Sequence, residues 1–328
     1  TALNRGKRSL TLNLKTERGR KILLDLARRA DVLLESFRPG VLDRMGLGYS
    51  TLRSANPRLI VCAISGYGQR GPLSARAGHD LNYLGYAGAL PQFAPRRADG
   101  VVPPPVVPGL QLADLGGGAF PATIAILAAL FARERSGRGQ FLDIAMTDGV
   151  LHWLLMLAAQ HWAGGAPDGG HGPLSGGYAC YSIYTAADGL ALTVAAVEPE
   201  FWANFCTTIG RAEYIPLQYA GWETQQRLFA ELADLFAARP RAAWLELFGE
   251  HDVCVGPVLD LTAALDLHAD RTFTLAQPGE ATLRQLGGLF GSTAARPAPA
   301  LGEHSDEALG ALGLTVAEIV GLRVTGVI

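Results

Sequence analysis

The opening stretch of the chain alternates between two hydrophobic periods, and this constrains the fold more than any other feature. "RSLTLNL" (8–14) alternates apolar and polar residues and reads as a strand. "TERGRKILLDLARRA" (16–30) sets Ile22, Leu23, Leu26 and Ala27 at helical spacing. "DVLLESF" (31–37) and "RLIVCAISGYG" (58–68) read as two further strands, the latter ending in glycines. Alternating strands and helices imply crossover connections and so a parallel α/β sheet. In such sheets functional groups gather at the carboxyl ends of the strands.

The middle of the chain changes character. "QFAPRRADGVVPPPVVPGL" (92–110) is a proline-rich loop, and "AFPATIAILAALFARERSGRGQ" (119–140) is a long apolar helix that stops at Ser136-Gly137. "FLDIAMTDGVLHWLLMLAAQHWAGG" (141–165) reads as continued helix, with Trp153 and Trp162 as core, running into glycine-rich 164–177. "YSIYTAADGLALTVAAV" (181–197) is a hairpin around Asp188-Gly189, and helices follow from Pro199 to about Phe248, giving a smaller α+β domain. A second linker lies over 286–300, and the tail holds two short helices.

With 49% hydrophobic and 18% charged residues, 328 residues can bury a sizeable core, and disorder is excluded. A net charge of −2 argues against a nucleic-acid partner. Residues 1–29 nevertheless carry nine Lys or Arg against Glu17 and Asp25, which suits a phosphorylated small ligand or a solvated helix face. The four cysteines show no metal spacing and read as reduced thiols of a cytoplasmic protein, Cys254 in "HDVCVGP" as a buried one. No apolar run reaches membrane-spanning length, and no metal-ligand cluster is visible.

Three residues stand out. His79 in "RAGHDLNYL" falls at a helix start, where a neutral imidazole is a competent general base or a capping residue. Asp114 in "LQLADLGGGAFPATI" precedes glycines that would let another molecule approach, with N–H groups placed for an oxyanion; it also fits a helix cap. Glu198 in "TVAAVEPEFW" stands before Pro199, as a helix cap or as a carboxylate that orients a histidine. "SGYGQRG" (65–71) matches no phosphate-loop pattern, and His304 in "LGEHSDE" reads as capping or packing.

Taken together, "RGKRSLTLNLK", "ADVLLESFRPGVLDRMGLG", "NPRLIVCAISGYGQRGP", "AGHDLNYL", "ADLGGG", "ERSGRGQFLDIAMTDG", "VEPEFW", "VGPVLDL" and "PAPALGEHSDEAL" resemble the family III coenzyme A transferase superfamily, and within it the α-methylacyl-CoA racemases. The resemblance implies an interlocked homodimer and a Rossmann-like large domain whose parallel sheet is built from both chain ends. It also implies a strand–helix–strand before Thr1. The implied division is a large domain over 1–145 and 291–328, a small α+β domain over 182–262, and linkers over 146–181 and 263–290. The histidine of "AGHDLNYL" is the racemase mark, and Asp114 matches the shared aspartate, an acid or base in racemases and an acyl-enzyme nucleophile in transferases. Glu198 matches the glutamate that pairs with the histidine across the dimer. Where the family often has asparagine four residues before the aspartate, this chain has Leu110. Residue-wise transfer assigns coenzyme A contacts to Leu12, Asn13, Leu14 and Lys15, to Arg38 and Arg44, and to Gly78, His79, Asp80, Leu81, Asn82 and Tyr83. Coenzyme A enters as part of the acyl-CoA substrate, with no separate cofactor and neither nucleic acid nor membrane as partner.

Overall fold

The computed structural model describes residues 2–94, 104–165, 172–276, 282–288 and 296–328. The chain forms two units: Thr1–Tyr83 with Gln111–Val150 and Ala264–Ile328, and Leu84–Leu110 with Leu151–Ala263. Both expected linkers run partly outside the described residues, at 166–171, 277–281 and 289–295.

Helix α1 (Glu17–Ala27) starts where the Thr16 hydroxyl accepts the Gly19 N–H, and it buries Ile22 and Ala27. Strand β1 (Val32–Glu35), the single turn α2 (Val41–Arg44), α3 (Tyr49–Ala55) and β2 (Ile60–Ser65) follow. After α4 (Asp80–Tyr86) a π-helical turn, Ala113–Ala119, runs into α5 (Phe120–Ser136), which ends at left-handed Gly137 (φ 67°). Strand β3 (Phe141–Ala145) completes a parallel sheet of order β1-β2-β3, with α5 packed on β2 and β3. The central strand β2 is the most buried, as its unbroken apolar run requires. Helices α6 (Met146–Trp153) and α7 (Leu155–Trp162) come next.

In the second unit the hairpin β4 (Tyr181–Thr185)–β5 (Ala191–Ala195) turns at Gly189 (φ 76°). Helices α8 (Pro199–Thr208), α9 (Trp222–Phe236) and α10 (Arg241–Phe248) precede β6 (Val255–Pro257), which pairs with β5. Trp202, Phe205, Phe236, Trp244 and Phe248 form its aromatic core. The chain then adds α11 (Leu261–Leu267), the antiparallel pair β7 (Thr272–Leu275)–β8 (Leu283–Leu286), α12 (Ser305–Ala311) and α13 (Val316–Val324).

Several expectations are corrected. Residues 8–14 are not a strand. Leu10 and Leu12 pack against the cluster of Ile22, Leu309, Ile319 and Leu322, while Ser9 and Asn13 bond to His304 and Val327, so the C-terminal helices absorb the alternation. The same segments join the chain ends, but all three described strands of the parallel sheet lie before residue 146; the C-terminal end adds helices instead. Residues 141–145 are strand rather than helix, because a short apolar run fits either. Trp153 and Trp162 are exposed, not core. Cys254 is exposed at φ 51° and is the sole non-glycine residue with positive φ among the described residues. The π-turn and α5 together run 24 residues, long and apolar enough by composition to cross a membrane. That helix instead lies along β2 and β3.

Candidate active site

A cleft of about 530 Å³ opens at the carboxyl ends of β1 and β2. Its walls are Ser36, Phe37 and Arg38 after β1, Ser65, Gly66 and Tyr67 at the end of β2, and Ser74, Arg76, Gly78, His79, Asn82 and Tyr83 beyond. This is the place and size of a small-molecule site in a parallel sheet. The loops are held from behind. The Glu35 carboxylate accepts the Phe37 N–H at 2.6 Å. The Gly66 carbonyl accepts both the N–H and the hydroxyl of Thr147, and Asp143 accepts the Gln69 N–H.

Tyr67 and Tyr83 meet edge to face, with centroids 5.1 Å apart. Side chains at Gly66 or Gly78 would strike these rings, so both glycines are required by packing. The Tyr83 hydroxyl donates to the Gly78 carbonyl at 2.5 Å and fixes the segment just before His79. Burial pushes the Tyr83 phenol up, followed by neighbouring Tyr67 and the Asp114 and Asp80 charges.

His79 caps α4 with its backbone. Its N–H donates to Asn82 Oδ1 at 3.1 Å, and its carbonyl accepts the Asn82 and Tyr83 N–H groups. The exposed imidazole takes no part in the cap. Asp114 sits in the π-helical turn, a geometry frequent at functional sites. Asp80 joins the two: its Oδ1 accepts the N–H of Ala113 at 2.7 Å and that of Asp114 at 2.9 Å. The Asp114 carboxyl is raised above the usual carboxylate range, first by burial and then by the Asp80 charge, while His79 acts the other way.

This geometry overturns the expectation that N–H groups around Asp114 stand free for an oxyanion. Those of residues 113 and 114 are taken by Asp80, and that of Leu115 by Gln111. The glycines also differ in purpose. Side chains at Gly117 or Gly118 would strike Met146 and Val150, so they admit the start of α6 rather than a ligand.

Of the residues assigned to coenzyme A, Arg38, Gly78, His79, Asn82 and Tyr83 line the cleft together. Asp80 turns its carboxylate to the π-turn, and Leu81 lies outside the lining. Arg44 closes α2 with its guanidinium over Gly40. Leu12 packs on the C-terminal helices, Asn13 bonds to Gly326 and Lys15, and the Leu14 and Lys15 carbonyls accept Arg20. Glu198, in the second unit, is the N-cap residue of α8, yet its exposed carboxylate makes no cap bond. Its charge bears on Tyr219 and Cys254. The Asp80 tie and the Arg76 lining have no local sequence signal, since their partners are set by the fold.

The sequence profile of CoA-transferase family III matches residues 1–305. Alpha-methylacyl-CoA racemase of Mus musculus is 38% identical over 98% of this chain and 85% of its own length. Acetyl-CoA:oxalate CoA-transferase of Acetobacter aceti is 36% identical over 81% of this chain and 68% of its own. The crystal structure of a CAIB/BAIF family protein from Brucella suis superposes with a TM-score of 0.77 at 29% identity, covering 95% of this chain and 83% of that one. With matches of this extent added to an α/β unit whose cleft lies at the ends of its parallel strands, the chain belongs to CoA-transferase family III.

Proposed function

We propose that this protein is a racemase that inverts the α-carbon of 2-methyl-branched acyl-CoA thioesters. The observation that carries the reading is the adjoining placement of His79 and Asp114, a base and an acid on separate elements joined through Asp80. The thioester acidifies the α-proton. His79 takes it from one face to give an enolate, and Asp114 delivers a proton to the other; the reverse reaction exchanges the roles. The raised Asp114 carboxyl favours the protonated form needed by the donor.

Arg38 in the cleft and the basic start of the chain suit the phosphates of coenzyme A. The protein acts as an interlocked homodimer, with Glu198 of the partner subunit orienting His79. Two observations support this: Glu198 leaves its carboxylate out of the α8 cap, and α5 carries an uncovered apolar face. The second reading, a transferase moving coenzyme A between carboxylic acids through an Asp114 acyl-enzyme, draws on the transferases among the relatives. Following the α-proton of one enantiomer in D2O separates them. The racemase exchanges it with no carboxylic acid added; the transferase leaves the α-proton in place and moves coenzyme A only to an added carboxylic acid.

A further inference from the structure

The Asp80 side chain reaches from one half of the candidate site to the other. It follows His79 directly in sequence, and its Oδ1 receives two backbone N–H groups from the turn that carries Asp114, at 2.7 and 2.9 Å. A carboxylate accepting N–H groups makes the stronger, charge-assisted kind of hydrogen bond. We propose that Asp80 is a positioning residue that holds the His79 helix start and the Asp114 π-turn at a fixed separation, so that base and acid face one substrate carbon from both sides. The tie stands on geometry alone; its catalytic consequence rests on the racemase reading.

The tie also has an electrostatic side. The charged and titratable groups facing Asp114 are Asp80, His79 and Tyr83, with Tyr67 behind Tyr83. Burial comes first in raising the Asp114 carboxyl; Asp80 adds to the rise as the negative charge among them, and His79 opposes it. An asparagine at position 80 would still accept both N–H groups through its amide oxygen while removing that charge. An alanine would remove both. The two variants therefore separate charge from geometry.

The experiment is a 13C titration of the aspartate carboxyls in wild type and Asp80→Asn, with the Asp114 signal assigned by its loss in Asp114→Asn. In Asp80→Asn the Asp114 midpoint moves to lower pH. The limb of the racemisation pH profile that Asp114 sets moves the same way, and KM stays near wild type. In Asp80→Ala kcat falls by roughly a hundredfold, the scale of a misplaced catalytic group, while Asp80→Asn keeps kcat within a few-fold at its own optimum. An unmoved Asp114 midpoint in Asp80→Asn, or wild-type kcat in Asp80→Ala, overturns the proposal. If the wild type exchanges no α-proton at all, the racemase reading fails, and the titration still decides whether Asp80 governs Asp114.

Discussion

His79 gives its backbone to the start of α4 and leaves its imidazole exposed, so one residue fits a cap and, in the proposed racemase, a base. Glu198 does the same for α8. Such residues are legible in sequence because residue type and helix-start position are both local. The sequence places Asp80 among the coenzyme A contacts, but its tie is not legible, because its partners lie in a separate turn and nothing near it in sequence points there. If His79 serves one face of the substrate and Asp114 the other, His79→Ala and Asp114→Ala each end racemisation in both directions. Each variant still exchanges the α-proton of one enantiomer with solvent, and the enantiomers are opposite. Deuterium incorporation measured from each pure enantiomer checks this, and full racemisation by His79→Ala would remove the histidine from the mechanism.

At the scale of elements, periodicity identified α1, β1, β2 and the β4–β5 hairpin, since each buries one face or both. It failed at β3, where five residues are too few to tell strand from helix, and at residues 8–14, where packing on α12 and α13 imitates a strand pattern. The glycines after Asp114 were legible as a close approach, but the approaching body is α6. A side chain at Gly149 would run into the Gly117 carbonyl, so the two helices meet backbone to backbone. Gly149→Ala therefore destabilises the protein by about 1–3 kcal/mol, the usual cost of overpacking. Gly321 in α13 meets nothing within 4 Å, and Gly321→Ala is neutral or stabilising by up to about 1 kcal/mol. Denaturant midpoints of the two variants against wild type measure the contrast; equal effects would contradict the packing account.

At the scale of the whole molecule, uncovered apolar surface calls for explanation. Phe120, Ile124, Leu127 and Phe131 recur along one face of α5, each between 55% and 67% exposed. In the second unit Leu155, Met156 and Trp162 of α7 are exposed as well. Patches of this kind mark association surfaces, so the protein sediments as a dimer at assay concentration; a folded, active monomer would contradict this. The sequence, weighed one tryptophan at a time, places Trp153 and Trp162 in a core because apolar bulk alone does not say whose core it fills. The central claim is proton transfer at a thioester α-carbon, and NMR of one enantiomer of a 2-methylacyl-CoA with the enzyme in D2O tests it most directly. The α-proton signal disappears and the other enantiomer accumulates, with no carboxylic acid added and no hydroxylamine-trappable acyl group on Asp114. An α-proton that persists, together with transfer of coenzyme A to an added carboxylate and trapping at Asp114, would contradict it.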